Sequence, residues 1–146
     1  MQKVSEVKLS YANKVLAKDR KKVTGSVSCE EILRPFFVEY MEHREAMFAL
    51  LMNRGNQVLG VIRLSEGGTS GTVVDLKILF QSAILANASS IIISHNHPSG
   101  QLKPSQADID ITKKIVEAGK LFDIMCLDHL ILTTEGSYSF ADEGLI

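Results

Sequence analysis

Apolar residues follow two rhythms along this chain, and each predicts a different element. Leu76, Leu79, Phe80, Ala83 and Ala86 recur at helical spacing behind Asp75, which is placed to cap the helix. A second helical stripe carries Ile111, Ile115, Ala118 and Phe122, with Lys113, Lys114, Glu117 and Lys120 on the opposite side. Residues 90–94 read Ser-Ile-Ile-Ile-Ser, a short β-branched run typical of a fully buried strand. Residues 45–53 and 57–65 flank Arg54-Gly55-Asn56 and predict a hairpin. Residues 122–134 predict one or two further strands, residues 138–140 a last short one, and residues 4–9 an edge strand. Ser28 with Glu31 resembles a capping box opening a helix. Pro35 ends that helix early and leaves residues 36–41 as a separate turn. Residues 65–71 form a polar, glycine-rich loop. Helices alternating with strands argue for an α/β fold, a sheet covered by helices.

Composition adds limits. A length of 146 residues suits one domain with a substantial core. No repeat or low-complexity linker divides residues 1–146, so we read one domain with residues 1–27 as an N-terminal extension. Sixteen basic residues against seventeen acidic ones leave no overall electrostatic footprint for nucleic acid. The local cluster Lys18, Arg20, Lys21 and Lys22 can supply a few phosphate contacts, or simply form a solvated loop. Any nucleic-acid binding is therefore expected to be weak. The longest apolar runs are too short to cross a bilayer and the N-terminus lacks a signal-peptide core, so no membrane association is expected. Cys29 and Cys126 match no CxxC or zinc-knuckle spacing. They are expected to be buried free thiols in a cytoplasmic protein.

The chemistry concentrates in His95-Asn96-His97-Pro98-Ser99-Gly100 and Pro104-Ser105-Gln106-Ala107-Asp108. Strand side chains alternate, so His95 and His97 at the end of the buried run project the same way. Pro98 keeps His97 extended. Ser105 looks like the N-cap of the next helix, and Asp108 at its third position can complete a capping box. At about 100° per residue Asp108 shares the inward stripe of Ile111 and Ile115, whereas Asp110 points outward. An inward carboxylate needs a partner. Two imidazoles and one carboxylate suit a divalent metal with three protein ligands and an open position, the catalytic arrangement for zinc.

Metal-assisted hydrolysis also needs a base beside the metal. Composition cannot choose among seventeen carboxylates. Glu45 directly precedes the apolar run of the first hairpin strand, where a charge can face a cleft. It also belongs to the charged patch Glu42-His43-Arg44-Glu45, where it would be a surface residue. The pattern leaves both readings open. His129 follows Asp128 in an apolar strand and suits either a structural Asp-His pair or a group orienting a ligand. His43 has no supporting context.

The spacing His95-Asn96-His97, seven residues, then Ser105-Gln106-Ala107-Asp108 resembles the JAMM signature of JAB/MPN metallopeptidases. Ser94-His95-Asn96-His97-Pro98-Ser99-Gly100 and Asp128-His129 are more closely similar to the RadC family of bacterial JAB-domain proteins. The resemblance extends through Asn53-Arg54-Gly55-Asn56, Gly60, Ser65-Glu66-Gly67-Gly68, Asn87-Ala88-Ser89, Thr112 and Ser139-Phe140-Ala141-Asp142-Glu143-Gly144. It implies a mixed β-sheet flanked by helices, similar to the cytidine-deaminase architecture. It further implies one zinc ion per chain on His95, His97 and Asp108, with Glu45 as general acid/base and Ser105 as hydrogen-bond donor to an oxyanion. The substrate would be a peptide or protein, cut at a peptide or isopeptide bond. Longer RadC proteins carry an N-terminal helix-hairpin-helix region, which is not expected in a chain of this length.

Other classes fare worse. A zinc deaminase needs H-x-E and a P-C-x-x-C pair, and a thermolysin-like protease needs H-E-x-x-H; neither occurs. Non-catalytic MPN scaffolds typically lack the ligands that are all present here. A DNA-repair or nucleic-acid-associated module is the main alternative, set against by the near-zero net charge.

Overall fold

The computed structural model describes residues 3–67 and 74–146. Its helices are α1 (Ser26–Leu33), α2 (Leu76–Leu85) and α3 (Gln106–Leu121). Its strands are β1 (Ala46–Met52), β2 (Val58–Glu66), β3 (Ser90–Asn96), β4 (Met125–Leu132) and β5 (Ser137–Ser139). They form one sheet in the order β2-β1-β3-β4-β5. Only β3 and β4 pair in parallel, joined by α3 as a crossover. β1 is antiparallel to both β2 and β3, and β5 is antiparallel to β4. The sheet is mixed, as the resemblance implies.

Both faces of the sheet are covered, which is why its central strands read as unbroken apolar runs. Met47, Ala49, Leu51, Ile91 and Ile93 pack with Leu79, Phe80, Ala83 and Ile115 beneath α2 and α3. Phe48, Leu50, Met52 and Ile92 pack with Cys29, Leu33 and Phe37 of the α1 side. The alternation along β3 decides the rest of the molecule. If Ile91 and Ile93 face α3, so do His95 and His97 beyond them, and Asn96 faces the α1 side.

The hairpin falls where the pattern placed it. Asp75 caps α2 by accepting from the N–H groups of Lys77 and Ile78. Cys29 and Cys126 are free and buried, in separate cores on opposite faces. Burial pushes both thiols up to about 12, which disfavours the nucleophilic thiolate.

Four expectations need correction. Residues 4–9 form no strand; Val4, Val7 and Leu9 stay exposed, because β-branched residues without a partner strand have nothing to pair with. The exposed edge of β2 is met instead by Tyr11 Oη, which donates to the Leu59 carbonyl, and by a single Lys22–Gln57 bridge. α1 begins two residues before Ser28. That hydroxyl accepts from the N–H of Gly25 at 3.2 Å and so caps the helix from its third position, not its first. Beyond Leu33 the chain tightens into a 3-10 turn over Arg34–Phe37, so the turn after Pro35 starts earlier than expected. Of the loop expected over residues 65–71, Ser65 and Glu66 end β2, and residues 68–71 lie outside the described residues. Among the described residues no helix is long and apolar enough to cross a membrane.

Candidate metal centre

β3 ends in His95 and Asn96, and His97 follows with its N–H donating to the Leu132 carbonyl at 3.0 Å. The chain then turns through Pro98 and Ser99 to Gly100, whose φ of 83° lies in the left-handed region that glycine adopts freely. It returns at Ser105, the N-cap of α3. The Ser105 hydroxyl accepts from the Asp108 N–H at 3.1 Å, and the Asp108 carboxylate accepts from the Ser105 N–H at 2.8 Å. This capping box aims Asp108 back at the strand end.

His95, His97 and Asp108 therefore meet. Their exposures are low: 1% for the His95 side chain, 12% for His97 and 16% for Asp108. The two Nε2 atoms lie 2.9 Å apart. Each is 3.2 Å from a different oxygen of Asp108. His97 Nδ1 donates to the Gln101 carbonyl at 2.6 Å, so its Nε2 presents a lone pair. With both imidazoles neutral, lone pairs and carboxylate oxygens converge on one point, which calls for a proton or a cation among them. The donor set, two imidazole nitrogens and one carboxylate, fits zinc. Burial opposes charge on both partners, yet each charged form is favoured. The adjacent imidazoles of His95 and His97 hold the Asp108 carboxyl far below the carboxylate range. The imidazole of His97 is raised by Asp108, the Gln101 carbonyl and Glu45.

Glu45 reaches the same site. Continuing the Met47–His95 antiparallel pairing by two residues sets Glu45 opposite His97. Glu45, His97, Ser99, Gln101, Lys103, Pro104 and Ser105 line one open cleft of about 220 Å³. Ser105 is exposed there, and among the described residues its hydroxyl hydrogen is committed to no acceptor. A larger cavity of about 620 Å³ lies at the far end of the sheet and contains none of these residues.

Asn96 was without a role in the sequence pattern, because its partners come from elsewhere. Fully buried, it accepts from the Ala46 N–H at 2.9 Å and donates to the carbonyls of Tyr40, Met41 and Arg44. It thereby fastens the turn that delivers Glu45. Beside that turn, Glu66 takes Arg44 and Arg63 as ion-pair partners, and Arg63 donates to the Tyr40 hydroxyl at 2.9 Å.

The His129 ring is not a partner of the Asp128 carboxylate. Asp128 accepts instead from the backbone N–H of His129 and Ala141 and from the Ser139 hydroxyl. The His129 ring lies against His95, with Nε2 at 2.6 Å from His95 Nδ1, and stacks on Phe140. Burial pushes this imidazole well below its ordinary value. The basic cluster sits apart, around the short turn Ala17–Asp19 and the Lys22–Gln57 bridge.

Comparison with known proteins agrees with this architecture. The family model for the RadC-like JAB domain matches residues 24–145. The UPF0758 protein of Flavobacterium johnsoniae is 45% identical over 125 residues, covering 86% of this chain and 54% of that protein. That of Porphyromonas gingivalis is 38% identical over 128 residues, covering 87% and 56%. UPF0758 protein YfjY of Escherichia coli is 42% identical over 103 residues, covering 70% and 64%. The chain thus spans little more than half the length of the first two relatives.

Proposed function

This chain belongs to the RadC-like JAB domain family, and we propose that it is a zinc-dependent hydrolase of peptide or isopeptide bonds. A metal-dependent hydrolase is consistent with the JAB domain and with a His-His-Asp group able to hold a metal. The observation that carries the proposal is the convergence of two Nε2 atoms and the Asp108 carboxylate beside a cleft lined by Glu45 and Ser105.

Zinc held by His95, His97 and Asp108 would supply Lewis acidity and lower the pKa of a water to about 7. Glu45, across the cleft from His97, takes the proton of the attacking water and later returns it to the leaving amine. The Ser105 hydroxyl donates its free hydrogen to the oxyanion that develops on the scissile carbonyl. Holding the Glu45 turn in place, Asn96 keeps the base in register with the strand that bears both histidines. Asp108 has two tasks, as a ligand and as the capping partner of Ser105. The α3 N-terminus and the metal site are therefore one mechanical unit.

The test is a cleavage screen with peptide and isopeptide substrates, using zinc-loaded and chelator-stripped protein, with duplex DNA as a separate arm. Amide cleavage that disappears with the metal and returns with zinc is the expected result. Metal-dependent cleavage of DNA alone would overturn the choice of bond. Tight DNA binding at physiological salt without hydrolysis would favour the nucleic-acid alternative. Binding through the Lys18–Lys22 region would fall with salt at a log–log slope of about −0.9 per phosphate contact.

A further inference from the structure

We infer that Thr112 and His129 are positioning residues that hold the His95 proton on Nδ1 and leave its Nε2 open to a metal. The inference rests on the reading of His95 as a ligand, but it concerns the atoms behind that ligand. Thr112 Oγ1 lies 2.6 Å from the Asp108 carbonyl oxygen and 2.6 Å from His129 Nδ1. A carbonyl oxygen brings no hydrogen, so the hydrogen in the first contact belongs to the threonine. Having only one, the hydroxyl must accept in the second contact, and His129 Nδ1 must donate.

His129 is completely buried, its ring face covered by Phe140 at 4.6 Å, and the neighbouring Asp128 carboxylate is directed to other donors. Among the described residues no carboxylate is hydrogen-bonded to the ring, so a second proton on it goes uncompensated. A neutral imidazole protonated at Nδ1 has its lone pair on Nε2. That atom lies 2.6 Å from His95 Nδ1, which must therefore be the donor. A neutral His95 then presents the Nε2 lone pair at 3.2 Å from the Asp108 carboxylate and 2.9 Å from His97 Nε2.

The circuit begins at the backbone carbonyl of Asp108 and ends beside its carboxylate. Each donor has one acceptor, and every link runs in the direction that frees the metal-facing nitrogen. It crosses three elements: α3 supplies Thr112 and Asp108, β4 supplies His129 and β3 supplies His95. Metal-ligating histidines are commonly oriented by such an acceptor on the other ring nitrogen, and loss of it typically costs 10–100-fold in metal affinity.

Thr112→Val keeps the side-chain shape and removes the acceptor. His129 is then expected to move its proton to Nε2, where it must donate to His95 Nδ1, and His95 is forced to carry its own proton on Nε2. Thr112→Ser retains the hydroxyl and is the conservative rescue. Two measurements decide: zinc affinity by competition with a chromogenic chelator, and two-bond proton–nitrogen NMR correlations of the histidines in metal-free protein. The expected result is Nδ1 protonation of His95 and His129 in the native chain and in Thr112→Ser, with similar zinc affinity. Thr112→Val should show both protons on Nε2 and bind zinc about 10–100-fold more weakly. Native His129 protonated at Nε2, or equal affinity in Thr112→Val and the native chain, overturns the inference. If Thr112→Val fails to fold, the native spectrum decides alone. Should the native protein take up no zinc, the metal reading fails while the spectrum still tests the circuit.

Discussion

Behind the ligand pair, His95, Asn96, Thr112 and His129 are all buried, and each side chain has polar partners within hydrogen-bond distance. In front of it, Glu45, Ser99, Gln101 and Ser105 line an open cleft, and among the described residues the Ser105 hydroxyl hydrogen has no acceptor. One strand end thus divides two environments. The rear is buried and hydrogen-bonded, which suits holding ligands in one geometry; the front is open, which suits groups that exchange protons with a substrate. The contrast separates binding from turnover, and mutations on the two sides should fail differently.

The sharpest break is expected at Glu45. Glu45→Gln should leave zinc in place and lower hydrolysis by about 10²–10⁴-fold, the usual contribution of a positioned acid/base. Zinc content and turnover measured on the same preparation check this, and undiminished turnover would remove Glu45 from the mechanism. Ser105→Ala comes next, with a loss of about 10²–10³ in turnover and zinc retained. Because Ser105 also caps α3, melting should be followed as well, where about 1 kcal/mol of stability is at stake. A pure loss of stability, with turnover per folded molecule unchanged, would confine Ser105 to the cap.

A third change works at the other end of α3 and serves as the control. A Cβ on Gly119 would meet the Ile124 carbonyl oxygen at 2.2 Å, in the connection where the Ile124 N–H donates to the Gly119 carbonyl. Gly119→Ala should therefore cost about 1–3 kcal/mol through backbone displacement. Denaturant unfolding measures that loss, and zinc affinity of the folded protein should not move. A parallel loss of zinc would mean that strain travels the length of α3 and that the site is less insulated than its hydrogen bonds suggest.

The parts legible in the sequence were those decided locally. Apolar runs marked β1 and β3, and helical stripes marked α2 and α3, because burial on both sheet faces leaves a direct trace in composition. The His95–His97–Asp108 group was legible for the same reason, since one strand end and the following helix contain all of it. Residues 4–9 were misread because β-propensity says nothing about whether a partner edge is available. Ser28 was misplaced because a serine can cap from inside the first turn as well as from its end. Glu45 stayed ambiguous because its approach to His97 depends on the pairing of β1 with β3 and on Asn96, neither of which local spacing contains. His129 and Thr112 were obscure on the same ground: their meeting needs β4 beside β3 and α3 packed across them.

The central claim is that His95, His97 and Asp108 hold one zinc ion while Glu45 only acts beside it. Elemental analysis of three purified proteins, the native chain, Glu45→Gln and His97→Ala, addresses it most directly. The account predicts about one zinc per chain in the first two and none retained by His97→Ala, in line with a three-ligand site. Equal zinc in all three preparations, or none in the native chain after zinc loading, would contradict it.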